Sequence, residues 1–230
     1  LLNSDVEVAN SDWLERMRLA AYRHERVASL TPFSNNATIC SFPHFCQDNE
    51  LFAGLDVNAL DRLFASLPLD DELVEVPTGV GFCMYIRRDC LDAVGYFDEQ
   101  TFGKGYGEEN DWCQRAHKLG WKNYHQLNVF AYHKGGASFQ EEGDPRKARA
   151  LELLNALHPN YTRDVMAFIG QDPAKLARMM AKIKFVAQSG LPVVLSVAHH
   201  LGGGVYGGAN DSSTARHEDG EQACYGPRQR

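Results

Sequence analysis

The sequence predicts an α/β fold, and three observations lead there. Stretches with a two-residue apolar period alternate with stretches of helical period, the pattern of folds in which helices cover a sheet. Aspartate, proline and glycine punctuate those stretches where helices begin and end. Acidic residues and a histidine fall at strand ends or helix starts, where α/β proteins place ligand sites. With 44% hydrophobic and 23% charged residues, the 230-residue chain has the balance of a globular protein. Its net charge of −7 argues against a nucleic-acid partner, which would need a basic face. The acidic excess thickens between Asp98 and Asp111.

Leu1-Leu2 reads as the end of a hydrophobic strand, and with no initiator Met the chain is expected to be cut from something larger. The stretch to Val8 is read as a strand entering a polar turn. Asp12 is placed to cap a helix, with Glu15 completing a capping box and Trp13, Met17, Ala20 and Ala21 as the apolar stripe. The stretch from Thr31 to Asn49 is irregular and polar, so a loop with short strands is expected. A second helix follows Asp56, with Val57, Leu60, Leu63, Phe64 and Leu67 at helical spacing. Val74 to Ile86 gives the clearest strand signal, interrupted near its start by Pro77-Thr78-Gly79, because Val80, Phe82, Met84 and Ile86 alternate with Gly81, Cys83 and Tyr85.

A short helix from Asp89 to Val94 should end at Gly95, and another from about Glu108 to Leu119 at Gly120. In the second, acids open the first turn and Arg115 and Lys118 close the last, which suits the helix dipole. Trp121 to His133 reads as strand, turn and strand. Asp144-Pro145 and Asp172-Pro173 each open a helix, the second with Leu176, Met179, Ile183 and Val186 on one face and basic residues around the rest. That basic helix leaves peripheral contact with a membrane surface as one expected partner. Leu191 to Val197 is a β-branched strand leading to His199-His200 and three glycines, and a polar tail follows. The six cysteines form no C-x-x-C pair, and no run has the length of a membrane span. They are read as reduced, buried thiols of a cytoplasmic protein.

Three places carry candidate chemistry: Asn3-Ser4-Asp5, the run Glu108-Glu109-Asn110-Asp111, and His133. Each has an ordinary structural explanation. Asp in a turn is an Asx residue, and acids opening a helix are dipole partners. Order and context set them apart.

Leu2-Asn3-Ser4-Asp5 with Asp12-Trp13-Leu14 resembles the metal-binding motif of family 2 glycosyltransferases and the helix after it. Val80 to Arg88, then Val94-Gly95-Tyr96-Phe97-Asp98-Glu99, resembles the acceptor-side strand and the G-x-F-D-E turn of that family. Gly107 to Trp112, with Arg115-Ala116 and Gly120-Trp121, resembles its G-E-D-x-D helix, and His133 with Gly135 to Ser138 its closing histidine segment. The four matches come in the family's order over residues 1 to 140.

The resemblance implies the C-terminal part of a GT-A fold, Rossmann-like with a mixed sheet, followed by linker helices. The expected divisions are 1–143 for that part and 144–190 for a helical linker. Residues 191–206 would be the first strand and glycine loop of a second, GT-B type domain, and 207–230 a disordered tail. The implied activity is inverting, metal-dependent transfer from a nucleotide-diphosphate sugar to a glycan or lipid-linked glycan in bacterial surface polysaccharide synthesis. By this resemblance Asp5 and His133 hold Mn²⁺ or Mg²⁺, with imidazole favouring Mn²⁺. Asn3, Ser4 and Asp5 would meet the donor, although Asn3 stands where the family often has Asp. Glu109 would be the general base, with Asp111 an alternative, and Glu108, Asp111, Trp112 and Gly79 would meet the acceptor. The rest of a multidomain parent chain is an expected partner, and the isolated chain is expected to be inactive. A non-catalytic carbohydrate-binding or assembly module on the same fold is the alternative reading.

Overall fold

The computed structural model describes residues 1–103, 105–135, 145–190 and 192, with the backbone of 214–216 and 222–224. Residues Leu1–Lys182 form one compact unit and Ile183–Arg230 a second. The fold is mixed α/β, built on a five-stranded sheet with parallel and antiparallel pairs. No helix among the described residues is long and apolar enough to cross a membrane.

The spine of the sheet is β5, Lys122–His133. Beside it runs β2, Val27–Phe33, parallel to it and buried at all seven positions. β3, Leu73–Val76, pairs antiparallel with residues 123–126 of β5, and β1, Val6–Val8, with residues 131–133. β4, Tyr85–Ile86, pairs antiparallel with β2. Two sequence expectations change here. β5 is one strand of 12 residues, not strand, turn and strand. In place of the turn, the pairing slips between Pro32, opposite Gln126, and Phe33, opposite Phe130. Pro32 has no N–H for the ladder, so a slip there costs little. The stretch from Val74 to Ile86 is not one strand: β3 ends at Val76 and β4 begins only at Tyr85. Between them Phe82, Cys83 and Met84 are all buried, and Phe82 O and Met84 N bond to Asn3 N and Leu1 O. Period-2 lettering there reports burial on more than one side, not a half-exposed strand.

Helices α1 (Trp13–Arg23), α2 (Val57–Ala65), α3 (Arg88–Val94) and α5 (Glu108–Lys118) lie where the spacing places them. The expected capping box of α1 does not form: Asp12 accepts from Arg16 Nε at 2.9 Å, and Glu15 pairs with Arg18. Asp56 does cap α2, accepting from Ala59 N at 2.7 Å. Phe64 of α2 sits among Phe33, Phe42 and Phe130. A short α4, Glu99–Phe102, is capped by Asp98.

Beyond residue 144 come α6 (Pro145–Leu157), α7 (Tyr161–Gln171) and α8 (Lys175–Gln188). The segment expected as a linker is part of the first unit as far as Lys182, and it buries Leu154, Tyr161, Phe168 and Ala177. Phe168 joins the cluster of Ile39, Phe82 and Ala131. Asp172 ends α7 in a left-handed conformation and pairs with Arg178. On α8 the buried residues are Ala177, Arg178 and Ala181, whereas Leu176 and Ile183 are exposed, so the expected apolar face is not the covered one. Small side chains let that face approach its neighbours more closely than leucine would. In the tail expected to lack order, β6 (Thr214–Arg216) and β7 (Gln222–Cys224) pair antiparallel. The strand and glycine loop expected at 191–206 lie, except for Pro192, outside the described residues, as do Gly136 to Asp144.

Candidate functional site

A cavity of about 650 Å³ opens in the first unit. Its wall includes Asn3, Gly79, Glu108, Glu109 and His133, five of the residues singled out in the sequence. The register of β1 on β5 brings the first and last of these sites together. Val6 lies opposite His133, and Lys134 N–H donates to Asp5 O at 3.0 Å. Asp5 Oδ2 consequently stands 3.3 Å from His133 Nε2, though 128 positions separate the two in the chain.

The ring of His133 is oriented from behind. Its Nδ1 lies 2.8 Å from Asn36 O, and a carbonyl only accepts, so Nδ1 carries the proton. Nε2 of the neutral ring is then a lone pair facing a carboxylate. Two acceptors so close call for something positive between them, a proton or a cation. The 3.3 Å separation suits neighbouring ligands of one divalent ion, which lie about 3 Å apart in octahedral geometry. Carboxylate oxygen with imidazole nitrogen is a donor set for Mn²⁺ or Mg²⁺, Mn²⁺ being the better match to nitrogen. Among the described residues no cluster of three or more His, Cys, Asp or Glu side chains is arranged to hold a metal. Phosphate or water oxygens would have to complete a cation's shell.

Sequence reasoning missed the residues that hold His133. Asn35 clamps its backbone, accepting from His133 N at 2.9 Å and donating to His133 O at 3.0 Å. Asn36 supplies the carbonyl and lines the cavity, and its buried Oδ1 has no hydrogen-bond partner among the described residues. Gly135 has φ +53°, and a Cβ there would collide with the Asn36 amide. The paired asparagines just past β2 were the available signal, lost in a stretch that read as irregular.

Elsewhere on the cavity wall α5 starts after its cap Gly107, whose φ is +93° and where an added Cβ would come within 2.8 Å of the Phe102 ring, so no side chain fits. Glu109, in the first turn, is partly buried, with its Cγ beside Gly81. Burial lifts its carboxyl to about 7; backbone donors at the helix start oppose the shift and the charge of Glu108 adds to it. Glu108 accepts from Gly105 N at 3.1 Å through Oε1, while its buried Oε2 is unpartnered. Asn110 donates to Thr78 Oγ1 at 2.8 Å, tying the helix to the segment that carries Gly79.

The remaining expected site residues lie elsewhere. Ser4 is exposed and outside the cavity wall. Trp112, expected against an acceptor, is fully buried, donates to Gly95 O at 2.8 Å and meets Phe97 edge-on. Asp111, expected as an alternative base, is buried with both oxygens taken: Oδ1 by His158 Nε2 at 2.8 Å and Oδ2 by Arg115 Nε at 2.7 Å. Residues 108, 111 and 112 share a helix face, so the division follows position along α5: Glu108 and Glu109 of the first turn line the cavity, whereas Asp111 and Trp112, about one turn on from Glu108, are covered by His158, Arg115 and Phe97. Tyr161, Val165 and Ile169 of α7 complete the wall, from the segment read as a linker. No protein-family model matches this chain, and no curated protein matches it.

Proposed function

We propose that this chain carries the acceptor-side part of a GT-A type sugar-transfer site of the family 2 glycosyltransferase kind. It would act from a nucleotide-diphosphate sugar to a glycan or lipid-linked glycan with inversion at the anomeric carbon. The observation that carries the reading is the 3.3 Å contact of Asp5 with His133, whose ring lies on the wall of a cavity that Glu109 also lines. Mn²⁺ or Mg²⁺, held by Asp5 and His133, would supply charge neutralisation for a leaving diphosphate.

The chain's own residues supply the rest. Glu109, as carboxylate, accepts the proton of the acceptor hydroxyl as that oxygen bonds to the anomeric carbon. The bond from that carbon to the diphosphate oxygen breaks, and its electron pair leaves with the diphosphate. A carboxyl poised at about 7 suits this work at neutral pH, because it is partly ionised yet basic enough to hold a proton. The apolar wall of Phe82, Val80 and Ile169 limits the water that would compete with the acceptor. Asn36 Oδ1 and Glu108 Oε2 are acceptors in need of donors, which sugar hydroxyls provide.

Mn²⁺ binding to the chain, followed by paramagnetic resonance, tests the cation pair: Asp5→Ala and His133→Ala should each weaken it at least tenfold. Unchanged binding in both variants would reject the pairing. Supplied with donor and acceptor, Glu109→Gln should lower transfer by about 100-fold or more, on the order of a lost general base, with Mn²⁺ binding retained. The aromatic wall of Phe97, Tyr106 and Tyr161 also fits glycan binding without transfer. Glycan binding indifferent to both chelation and Glu109→Gln would favour that second reading.

A further inference from the structure

We propose that His158 is a positioning residue of this cavity: by holding Asp111 it seats the first turn of α7, and with it Tyr161, against Glu109. The geometry stands apart from the transfer reading, and only its catalytic consequence rests on that reading.

His158 follows the last turn of α6 and is 4% exposed. A carboxylate only accepts, so the proton of the 2.8 Å contact with Asp111 Oδ1 belongs to Nε2. Among the described residues the buried His158 Nδ1 has no hydrogen-bond partner, so there the ring is held by that one hydrogen bond. Asp111 Oδ2 takes Arg115 Nε, and Arg115 donates onward to Val94 O and Tyr96 O, each at 2.9 Å. One buried carboxylate thus ties the end of α3, helix α5 and the junction of α6 with α7. Lys118 Nζ donates to Leu157 O at 3.2 Å at the same junction.

From His158 the link runs directly to the cavity. Tyr161 N–H donates to His158 O at 2.9 Å, and Tyr161, Val165 and Ile169 then present one face of α7 to the cavity. Tyr161 and Glu109 both line that cavity, and burial, with the charge of Glu109 after it, pushes the Tyr161 phenol up. The titratable groups around Glu109 are Glu108 and Cys113 on its own helix and Tyr161 on α7. Of these walls only α7 depends on His158. Without the imidazole, Asp111 would keep a buried, unpaired oxygen, and water drawn to it would part α7 from α5 and solvate Glu109.

The test is the titration of Glu109, read by carbon NMR of labelled glutamate in the chain as it stands, with no donor, acceptor or metal. His158→Ala should keep the native circular dichroism while the Glu109 midpoint falls by about one pH unit toward the ordinary carboxyl range. His158→Gln, whose amide nitrogen can reach the place of Nε2, should restore the wild-type midpoint. A Glu109 midpoint unmoved in His158→Ala would overturn the proposal, however much that variant loses in melting temperature. Should His158→Ala fail to fold, Tyr161→Ala opens the same wall without touching Asp111, and an unmoved midpoint there is equally fatal. Failure of the transfer reading would leave this titration unaffected.

Discussion

Glu109 and Asp111 stand two positions apart in one helical turn, and the same side-chain chemistry serves opposite ends. Asp111 is saturated by Arg115 and His158 and acts as a tie between helices. Glu109 is packed beside Gly81 but open to the cavity, and burial raises its carboxyl to about 7. The raised value has a consequence for stability. Between its ordinary value near 4.5 and about 7, the folded chain holds a proton that the unfolded chain has released. Unfolding free energy should therefore be full below about 4.5, fall as pH rises to about 7, and level off above it. The loss from this one group is about 3 kcal/mol. Glu109→Gln should remove that slope, as denaturant melts from pH 4 to pH 8 would reveal. A slope of the same size in the variant would mean the carboxyl titrates where an exposed one does.

At the scale of elements, the helices with local end signals were readable from sequence. Asp56 before α2, Gly95 after α3 and Gly120 after α5 act within one turn of their own residues, so no distant contact is needed to recognise them. β2 and the segment 77–84 were not readable, because their burial comes from partners far away in the chain. Ser29 and Thr31 look polar for a buried strand until their partners are in place: Ser29 Oγ donates to Asn123 Oδ1 at 2.8 Å, and Thr31 Oγ1 accepts from Val80 N at 3.2 Å. Asp61 is the same kind of residue on α2: it is buried and takes Ser11 Oγ at 2.7 Å, Arg16 Nη2 at 2.5 Å and Phe130 N at 3.1 Å. It thereby joins α1, α2 and β5. Asp61→Ala should cost about 3–5 kcal/mol in chemical denaturation, since it strands Arg16 and a buried N–H together. A loss under 1 kcal/mol would mean that solvent reaches the pair.

For the whole molecule, the main question is whether α6 and α7 fold as one with the sheet or merely follow it. Phe168 of α7 is buried against Ile39, Phe82 and Ala131 beneath the cavity. Phe168→Ala should therefore lower the stability of the sheet itself, by about 3–5 kcal/mol, with sheet and helix signals melting together. Separate transitions, with the sheet unaffected, would return these helices to the role of linker. The sequence by itself determined the α/β class, the ends of the main helices and the types of side chain available for chemistry. Those properties follow from periodicity and capping, which act over a few residues. Tertiary structure alone decided which of those side chains meet. It joined Asp5 to His133 through the register of β1 on β5, turned Asp111 and Trp112 into the core, and set Tyr161 and Glu109 on one cavity wall. Such meetings depend on contacts between segments a hundred or more residues apart, or on which side of a helix another element covers. No local pattern encodes either one.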